Sequence, residues 1–321
     1  MTAQPRSIAL LCLLSVALLA GCASAPSQPE RRANADELYE GQPRAVFGTE
    51  FPPGSAPEAA ARGDAALARR DYDRALYFYV EAVSLDPTDI TTLLKIGAIH
   101  REHGRHRLAL GAYRRVLEQQ SAEAVALEGA GLALLELREI DAAQELLSRA
   151  VAADETRWRA HEALGVITDL EQHPGWHATA LQHYERALAL TSSPSIYNNL
   201  GYSDYLAGDF VAAESAFRET VALDPEFARG WRNLALVYVK LERYEDAVAA
   251  LHHVGKPAAA LNDVGYLAML EGRYAVAEEY LTRATEASPG YYRTAYENLD
   301  RVRELRSSVR VVGAPAAAPQ R

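Results

Sequence analysis

Cysteine is almost absent from this chain, which has Cys12 and Cys22 among its 321 residues. Cys12 lies in an apolar N-terminal stretch that is typical of a cleaved export signal, so the mature chain keeps Cys22 alone. A single cysteine excludes an intramolecular disulfide, even in an oxidising compartment. The stability of the folded part must therefore come from packing.

The N-terminal apolar run, 8–20, has 13 residues. That is too short to cross a bilayer as a helix, which needs about 20. With Arg6 before it, the run predicts a signal peptide over 1–21. The sequence LLAGC at 18–22 resembles the bacterial lipobox. The resemblance implies that Cys22 is lipidated and that Ala23, which follows it, favours sorting to the outer membrane. The alternative is a cysteine that follows a signal peptide by chance.

Positive charge is also in short supply. The chain has 33 Lys and Arg against 43 Asp and Glu, a formal net charge of −10. Such a balance gives no long-range attraction to phosphate backbones, so we expect no nucleic-acid partner.

Catalytic signatures are missing too. The chain contains no G-x-S-x-G, no phosphate loop and no H-E-x-x-H, although His161-Glu162 begins the last of these. Two groups of histidines favour exposed polar segments over zinc sites because no cysteine or carboxylate cluster accompanies them: His100, His103 and His106, and His173, His177 and His183. We predict no enzyme, no catalytic residue, no metal and no cofactor.

The two ends of the chain differ in composition from its middle. Residues 22–55 contain five prolines and no apolar periodicity, which predicts a disordered tether. Residues 307–321, rich in Ala and Pro, are predicted to form a disordered tail.

Between the ends the chain repeats itself, with a spacing of mostly 34 residues. One column of small residues is Gly63, Gly97, Gly131, Gly165, Gly201, Ala235 and Gly265. A second column is Ala75, Ala109, Ala143, Ala180, Ala213, Ala247 and Ala277. A bulky column follows it at Tyr79, Tyr113, Leu147, Tyr184, Phe217, Leu251 and Leu281. Small residues let two helices approach closely while the bulky ones fill the remaining space.

The unit at 194–226 shows the pattern most completely. Its residues fit W-x2-L-G-x2-Y, then A-x3-F, then P, at Tyr197, Leu200, Gly201, Ala213, Phe217 and Pro225. This resembles the tetratricopeptide repeat (TPR) family, whose unit is about 34 residues. The resemblance implies an all-α solenoid over 56–306, a right-handed superhelix of about seven hairpins starting near 56, 90, 124, 158, 194, 228 and 258. A C-terminal capping helix is expected at 291–306.

Two departures from the period are expected to alter the stack. The loop of the fourth hairpin is three residues longer than the pattern allows, at 171–177. The second helix of the sixth hairpin is four residues short, ending near 252–257.

By the same resemblance, first helices line a concave groove that binds a protein or peptide. In repeats one to four the groove positions are mostly aliphatic or scattered charge: Ala60, Leu67, Leu94, Lys95, Leu132, Leu135, Glu162 and Val166. In repeats five to seven they are Asn198, Asn199, Tyr202, Tyr205, Arg232, Asn233, Asn262, Asp263 and Tyr266. Asn can bond both groups of a peptide backbone, and Tyr adds apolar area with a polar tip. The alternative for the Asn residues is that they bridge adjacent hairpins.

The segments 165–210 and 231–247 resemble the TadD lipoproteins of the tight-adherence (Flp) pilus system. That resemblance implies a lipid-anchored, periplasm-facing scaffold of the outer membrane that binds a secretin or pilus assembly component. Two alternatives stay open: a TPR adaptor that organises peptidoglycan enzymes, and a type IV pilotin.

Overall fold

The computed structural model describes residues 34–40, 47, 53–288, 290 and 292–312, with side chains in the last helix described as far as Ser308. The described residues form helices and no strands, which confirms the all-α prediction. The predicted signal peptide and Cys22 lie outside the described residues. Within the described part, no helix is both long enough and apolar enough to cross a membrane.

Fifteen helices follow one another between residues 56 and 312 of the described part. They are α1 (Ala56–Leu67), α2 (Tyr72–Leu85), α3 (Ile90–Glu102), α4 (His106–Gln119), α5 (Ala124–Glu136), α6 (Ile140–Ala153), α7 (Trp158–Glu171), α8 (Trp176–Leu190), α9 (Pro194–Ala207), α10 (Phe210–Leu223), α11 (Ala228–Lys240), α12 (Tyr244–His252), α13 (Pro257–Leu270), α14 (Tyr274–Glu286) and α15 (Arg293–Val312). The odd-numbered helices up to α13 are the first helices of seven hairpins, and they begin within one residue of the predicted repeat starts.

The chain divides into two compact units, one up to Pro87 and one from Thr88. The first unit contains the α1–α2 hairpin. Its core is the Tyr79 ring, which lies against Gly63 and donates a hydrogen bond from its hydroxyl to Asp64 Oδ1 over 2.6 Å. Each helix starts with a side-chain cap, from Ser55 and Asp71, that accepts from a backbone N–H of the first turn.

The first unit also includes part of the predicted tether. Ala35, Leu38 and Phe47 are buried, and the Phe47 ring centroid lies 5.5 Å from that of Tyr77 on α2. At these residues the structure differs from a disordered tether, because a few apolar side chains without periodicity can still cover an exposed aromatic on a neighbouring helix. Apart from residues 34–40 and 47, the residues of 22–52 lie outside the described part.

The second unit contains six hairpins and the terminal helix. Within it, each first helix packs on its own second helix and also contacts the first helix of the next hairpin. The first helices α3 to α13 and then α15 therefore lie side by side. We call the surface that α5, α7, α9, α11 and α13 present together the first-helix face.

Helix pairs approach most closely at the predicted small residues. All seven alanines of the second column have no exposed surface. A Cβ built on Gly201 would lie 2.9 Å from the Phe217 ring, and one on Gly97 would lie 2.7 Å from the Tyr113 ring. These distances are too short for real atoms, so only glycine fits between the two helices without a shift.

Of the two predicted departures, the short helix is present, whereas the long loop is not. α12 has nine residues, whereas the other second helices have 13 to 15 residues, which confirms the shortening. In the fourth hairpin the helices extend further than predicted, so the loop is 172–175 and His177 lies in the first turn of α8. Gln172 and Gly175 turn the chain there with φ of 47° and 81°.

The terminal helix is longer than predicted. It runs to Val312, past the predicted end at 306, so the tail predicted at 307–321 begins inside a helix. The physical reason is local: no glycine or proline interrupts the chain between Arg293 and Gly313. Ala295, Leu299 and Val302 form its buried face. Residues 313–321 lie outside the described part.

Replacing Gly201 by Leu should lower the free energy of unfolding by about 1–3 kcal/mol, because the new side chain overpacks the contact with Phe217. Chemical unfolding followed by circular dichroism measures the change. Gly255→Leu is the matched control, since a Cβ there meets nothing closer than a backbone oxygen at 3.7 Å. Equal stability of the two variants would contradict the assigned helix contact.

Candidate protein-binding surface

The nine predicted groove residues lie on three neighbouring first helices, α9, α11 and α13, and thus on one face. Their exposure differs widely. Asn198 and Asn262 are buried, Asn199, Asn233 and Tyr205 are half-buried, and Tyr202, Arg232, Asp263 and Tyr266 are exposed. Side chains that can meet a partner are therefore a subset of those predicted.

The asparagines form a ladder between consecutive first helices. Asn199 Nδ2 donates to Glu162 Oε1 over 3.0 Å, and Asn233 Nδ2 donates to Asn198 Oδ1 over 2.8 Å. Asn298 Nδ2 on α15 donates to Asn262 Oδ1 over 3.0 Å. In each rung the donor directly precedes the leucine of its repeat. The acceptor stands two residues before the corresponding position of the preceding repeat, which is Leu164, Leu200 or Val264. The amides thus bridge adjacent hairpins.

Between α11 and α13 the described side chains form no rung of this kind. Arg232 on α11 and Asp263 on α13 occupy the acceptor and donor positions, and the Arg232 charge acts on the Asp263 carboxyl. Desolvation by the packed helices raises the pKa of Asp263, while the hydrogen bond from Asn262 and the Arg232 charge oppose that rise. The hydrogen-bonded rungs therefore join α7 to α9, α9 to α11 and α13 to α15.

The aromatic residues of the face cluster on α9. Tyr202 and Tyr205 are stacked, with ring centroids 6.2 Å apart and planes 17° apart. Tyr205 also packs against Phe210, and the Lys240 ammonium lies 5.9 Å from each of these two ring centroids. Tyr202 keeps 44% of its surface exposed, a large apolar area with a polar tip.

Beside Tyr205 lies a small cavity of about 110 Å³. Its walls are apolar residues of α11 and α13 together with the Lys240–Glu271 ion pair, which closes over 2.8 Å. Leu270 stands at its edge with 62% of its surface exposed, and Tyr266 on the same helix is 41% exposed. Exposed apolar and aromatic groups around a recess are typical of a protein interface.

A larger cavity of about 520 Å³ opens on the first-helix face of α5, α7 and α9. Five of the predicted groove residues line it: Leu132, Leu135, Glu162, Val166 and Asn199. Sequence reasoning missed Arg159 and Arg229 in the same wall. Both occupy the second repeat position, the first turn of a first helix, and that row could have been read from the sequence.

A buried polar cluster joins the fourth and fifth hairpins, and it was not predicted. Asp169 accepts hydrogen bonds from the hydroxyls of Tyr184 and Ser203, each over 2.7 Å. His177 Nδ1 lies 3.2 Å from Ser203 Oγ, and its Nε2 lies 3.4 Å from Asp204 Oδ1. Although serine, histidine and aspartate meet here, Ser203 has no exposed surface, so its hydroxyl cannot reach a substrate.

The histidines flagged in the sequence are scattered in the structure. His100 is fully buried, whereas an exposed turn was expected. His161 and His183 approach one another, with their Nδ1 atoms 3.5 Å apart, and burial lowers the pKa of each. Among the described residues, no three His, Cys, Asp or Glu side chains are grouped to hold a metal ion.

These features define an array of helical hairpins with an interaction face. The family model for the tetratricopeptide repeat matches residues 94–157, 175–226, 198–252 and 234–292, more than half of the chain. The chain belongs to the tetratricopeptide repeat family.

Similar proteins share the repeats at low identity. The chain is 25% identical over 178 residues to the BBSome complex member BBS4 of Bos taurus, covering 56% of this chain and 34% of that protein. It is 22% identical over 221 residues to the Hsp70-Hsp90 organizing protein of Triticum aestivum, covering 58% and 38%. The chain thus spans little more than a third of the length of these relatives.

A solved tetratricopeptide repeat protein from Parabacteroides merdae covers 78% of this chain and 100% of its own, with 17% identity and a TM-score of 0.55. The C-terminal part of a TPR repeat-containing protein from Cytophaga hutchinsonii covers 74% and 98%, with 17% identity and a TM-score of 0.53. At these identities the likeness shows the fold alone.

The ladder can be tested by a double-mutant cycle. Asn233→Ala should cost about 1–3 kcal/mol of unfolding free energy, because the buried Asn198 carbonyl loses its donor. Asn198→Ala and the double variant complete the cycle, and we expect a coupling of about 0.5–1.5 kcal/mol. Strictly additive effects would show that the two amides do not interact in solution.

Proposed function

We propose that this protein is a non-enzymatic scaffold of the outer membrane that binds a segment of a partner protein on the first-helix face of α9, α11 and α13. One observation carries the proposal. Tyr202 on α9 and Tyr266 and Leu270 on α13 are exposed on the first-helix face, and Leu270 lines the small recess beside Tyr205. The amides of Asn198 and Asn262 on the same two helices are engaged in the ladder.

The difference between bridging amides and exposed side chains indicates which residues contact the partner. Since the Asn198 and Asn262 amides already bridge hairpins, we assign recognition to the tyrosines and to the exposed Arg232 and Asp263. Aromatic side chains bury a large area with little loss of conformational freedom, so they serve well as anchors for a partner segment.

Membership in the repeat family supports a protein partner, as tetratricopeptide repeats serve protein–protein interaction. The name of the wheat relative, Hsp70-Hsp90 organizing protein, describes that protein as one that organises others. We extend this role to the present chain, with no catalytic step of its own.

The lipobox-like LLAGC sequence and the resemblance to TadD lipoproteins support a role in the cell envelope. The lipid on Cys22 would hold the repeats at the periplasmic side of the outer membrane, since several acyl chains at about 0.8 kcal/mol per buried methylene anchor a protein firmly. The partner would then be a secretin or another component of Flp pilus assembly.

Removing the anchor should move the protein without unfolding it. We expect Cys22→Ala to leave the membrane fraction and appear in the soluble envelope fraction, with an unchanged circular dichroism spectrum, because the anchor lies outside the repeats. Membrane fractionation measures the location of the protein, and labelled palmitate measures its lipidation. A variant still found in the outer membrane would overturn the proposed anchoring and leave the binding face untouched.

Removing the aromatic contacts should weaken binding without unfolding the chain. We expect Tyr202→Ala with Tyr266→Ala to reduce crosslinking of envelope partners at least tenfold, as two interface tyrosines each contribute about 1 kcal/mol or more. Crosslinking in native membranes with mass spectrometry measures the loss and identifies the partner.

Tyr296→Ala is the matched control, because it removes a tyrosine that is 39% exposed on the terminal helix. Equal loss in both variants would assign the effect to general stability. Capture of peptidoglycan hydrolases instead of pilus components would replace pilus assembly with the adaptor role.

A further inference from the structure

The polar cluster between the fourth and fifth hairpins holds two buried carboxyl groups. Asp169 on α7 and Asp204 on α9 are 8% and 5% exposed. His177 on α8 contacts α9 through Ser203 and Asp204, and Ser203 connects α9 to Asp169. Buried carboxylates are costly unless hydrogen bonds or opposite charges satisfy them. The two carboxyls differ in this respect.

Asp169 is well satisfied. It accepts two hydroxyl hydrogen bonds, from Tyr184 and Ser203. Ser203 has a single hydroxyl proton, and the 2.7 Å bond to Asp169 uses it. His177 Nδ1, 3.2 Å from the same oxygen, must therefore be the donor to Ser203.

This assignment limits how the other ring nitrogen, Nε2, can interact with Asp204. With the proton of a neutral imidazole on Nδ1, the Nε2 lone pair would face Asp204 Oδ1 at 3.4 Å, and two acceptors repel one another. The contact is attractive when a further proton lies on either His177 or Asp204. The geometry thus favours a cluster that holds one shared proton.

We propose that this cluster is a pH-sensitive joint between the fourth and fifth hairpins, which takes up a proton as its surroundings acidify and then holds α9 firmly against α7 and α8. The proposal goes beyond partner binding and does not depend on it. Because α9 also carries Tyr202 and Tyr205, a change at the joint would move the aromatic part of the first-helix face.

The electrostatic surroundings support the proposal. Burial raises the pKa of Asp204 to about 6; the His177 charge opposes that rise, while Asp209 at the next turn and Asp169 on α7 add to it. Burial also raises the pKa of Asp169, against the hydrogen bonds from Tyr184 and Ser203 and the charge of His177. Both carboxyls therefore favour proton uptake on folding.

The sign of the effect follows. A carboxyl whose pKa is higher in the folded than in the unfolded state stabilises the fold fully below its unfolded value of 3.8. That stabilisation is lost as the pH rises through about 6. The packing of α9 against α7 and α8 should be more stable at pH 5 than at pH 7.5.

The test compares the full chain with Asp204→Asn. The amide can donate to His177 Nε2 without proton uptake, so the variant should lose the pH response of the joint. Between pH 5 and 7.5 we expect the wild-type melting temperature to fall by about 3–6 °C relative to the variant. Asp246→Asn, which neutralises an exposed carboxylate in an ion pair with Arg243, is the control and should follow the wild type.

Parallel melting curves for wild type and Asp204→Asn would overturn the proposal. If the variant fails to fold, the wild type alone decides the question by nuclear magnetic resonance. The backbone amide signals of Ser203 and Asp204 should titrate with a midpoint near pH 6, and signals that stay constant between pH 5 and 7.5 would also overturn it.

Discussion

The repeat array depends on one contact, an aromatic or leucine side chain of the second helix that packs on a small residue of the first helix. That small residue is glycine in six hairpins and Ala235 in the sixth. The contact reaches beyond single hairpins at Tyr113. Its ring fills the space left by Gly97 in its own hairpin and also that left by Gly129 in the next one. One ring thus sets the distance between helices within a hairpin and between neighbouring hairpins, so the stack inherits its spacing from the hairpin itself.

Close stacking brings consecutive first helices side by side, and that proximity determines which side chains a partner can use. Amides and carboxyls at the fifth and sixth repeat positions meet their counterparts 35–37 residues away and form the ladder. Tyr202 and Tyr266 lie further along two of these helices and remain exposed. The fold therefore separates polar groups that hold the array together from aromatic groups available for recognition.

Sequence predicted the array well because its main constraint is periodic: glycine or alanine is needed wherever two backbones meet, and the same need returns every repeat. That Asn198 and Asn262 bridge adjacent hairpins was one of two interpretations of the sequence. The repeat pattern alone could not decide between them, since the bridge depends on a partner one repeat away. Gly129 was missed because it serves the preceding hairpin. Phe47 was missed because a single aromatic without periodicity leaves no pattern.

The polar cluster lies where the period is broken, and the position is informative. The counterparts of Asp204 in the third, sixth and seventh repeats are Leu134, Tyr238 and Ala268, all buried. Two carboxyl groups here stabilise the fold less than apolar side chains would, because burial disfavours their charged forms and raises the pKa of both. The extra residues of the fourth hairpin start α8 at Trp176, so His177 comes within reach of Ser203 and Asp204. The insertion brings a histidine to two buried acids, just before the helix that carries the stacked pair Tyr202 and Tyr205. A role in adjusting the position of that helix explains this arrangement better than a gain in stability.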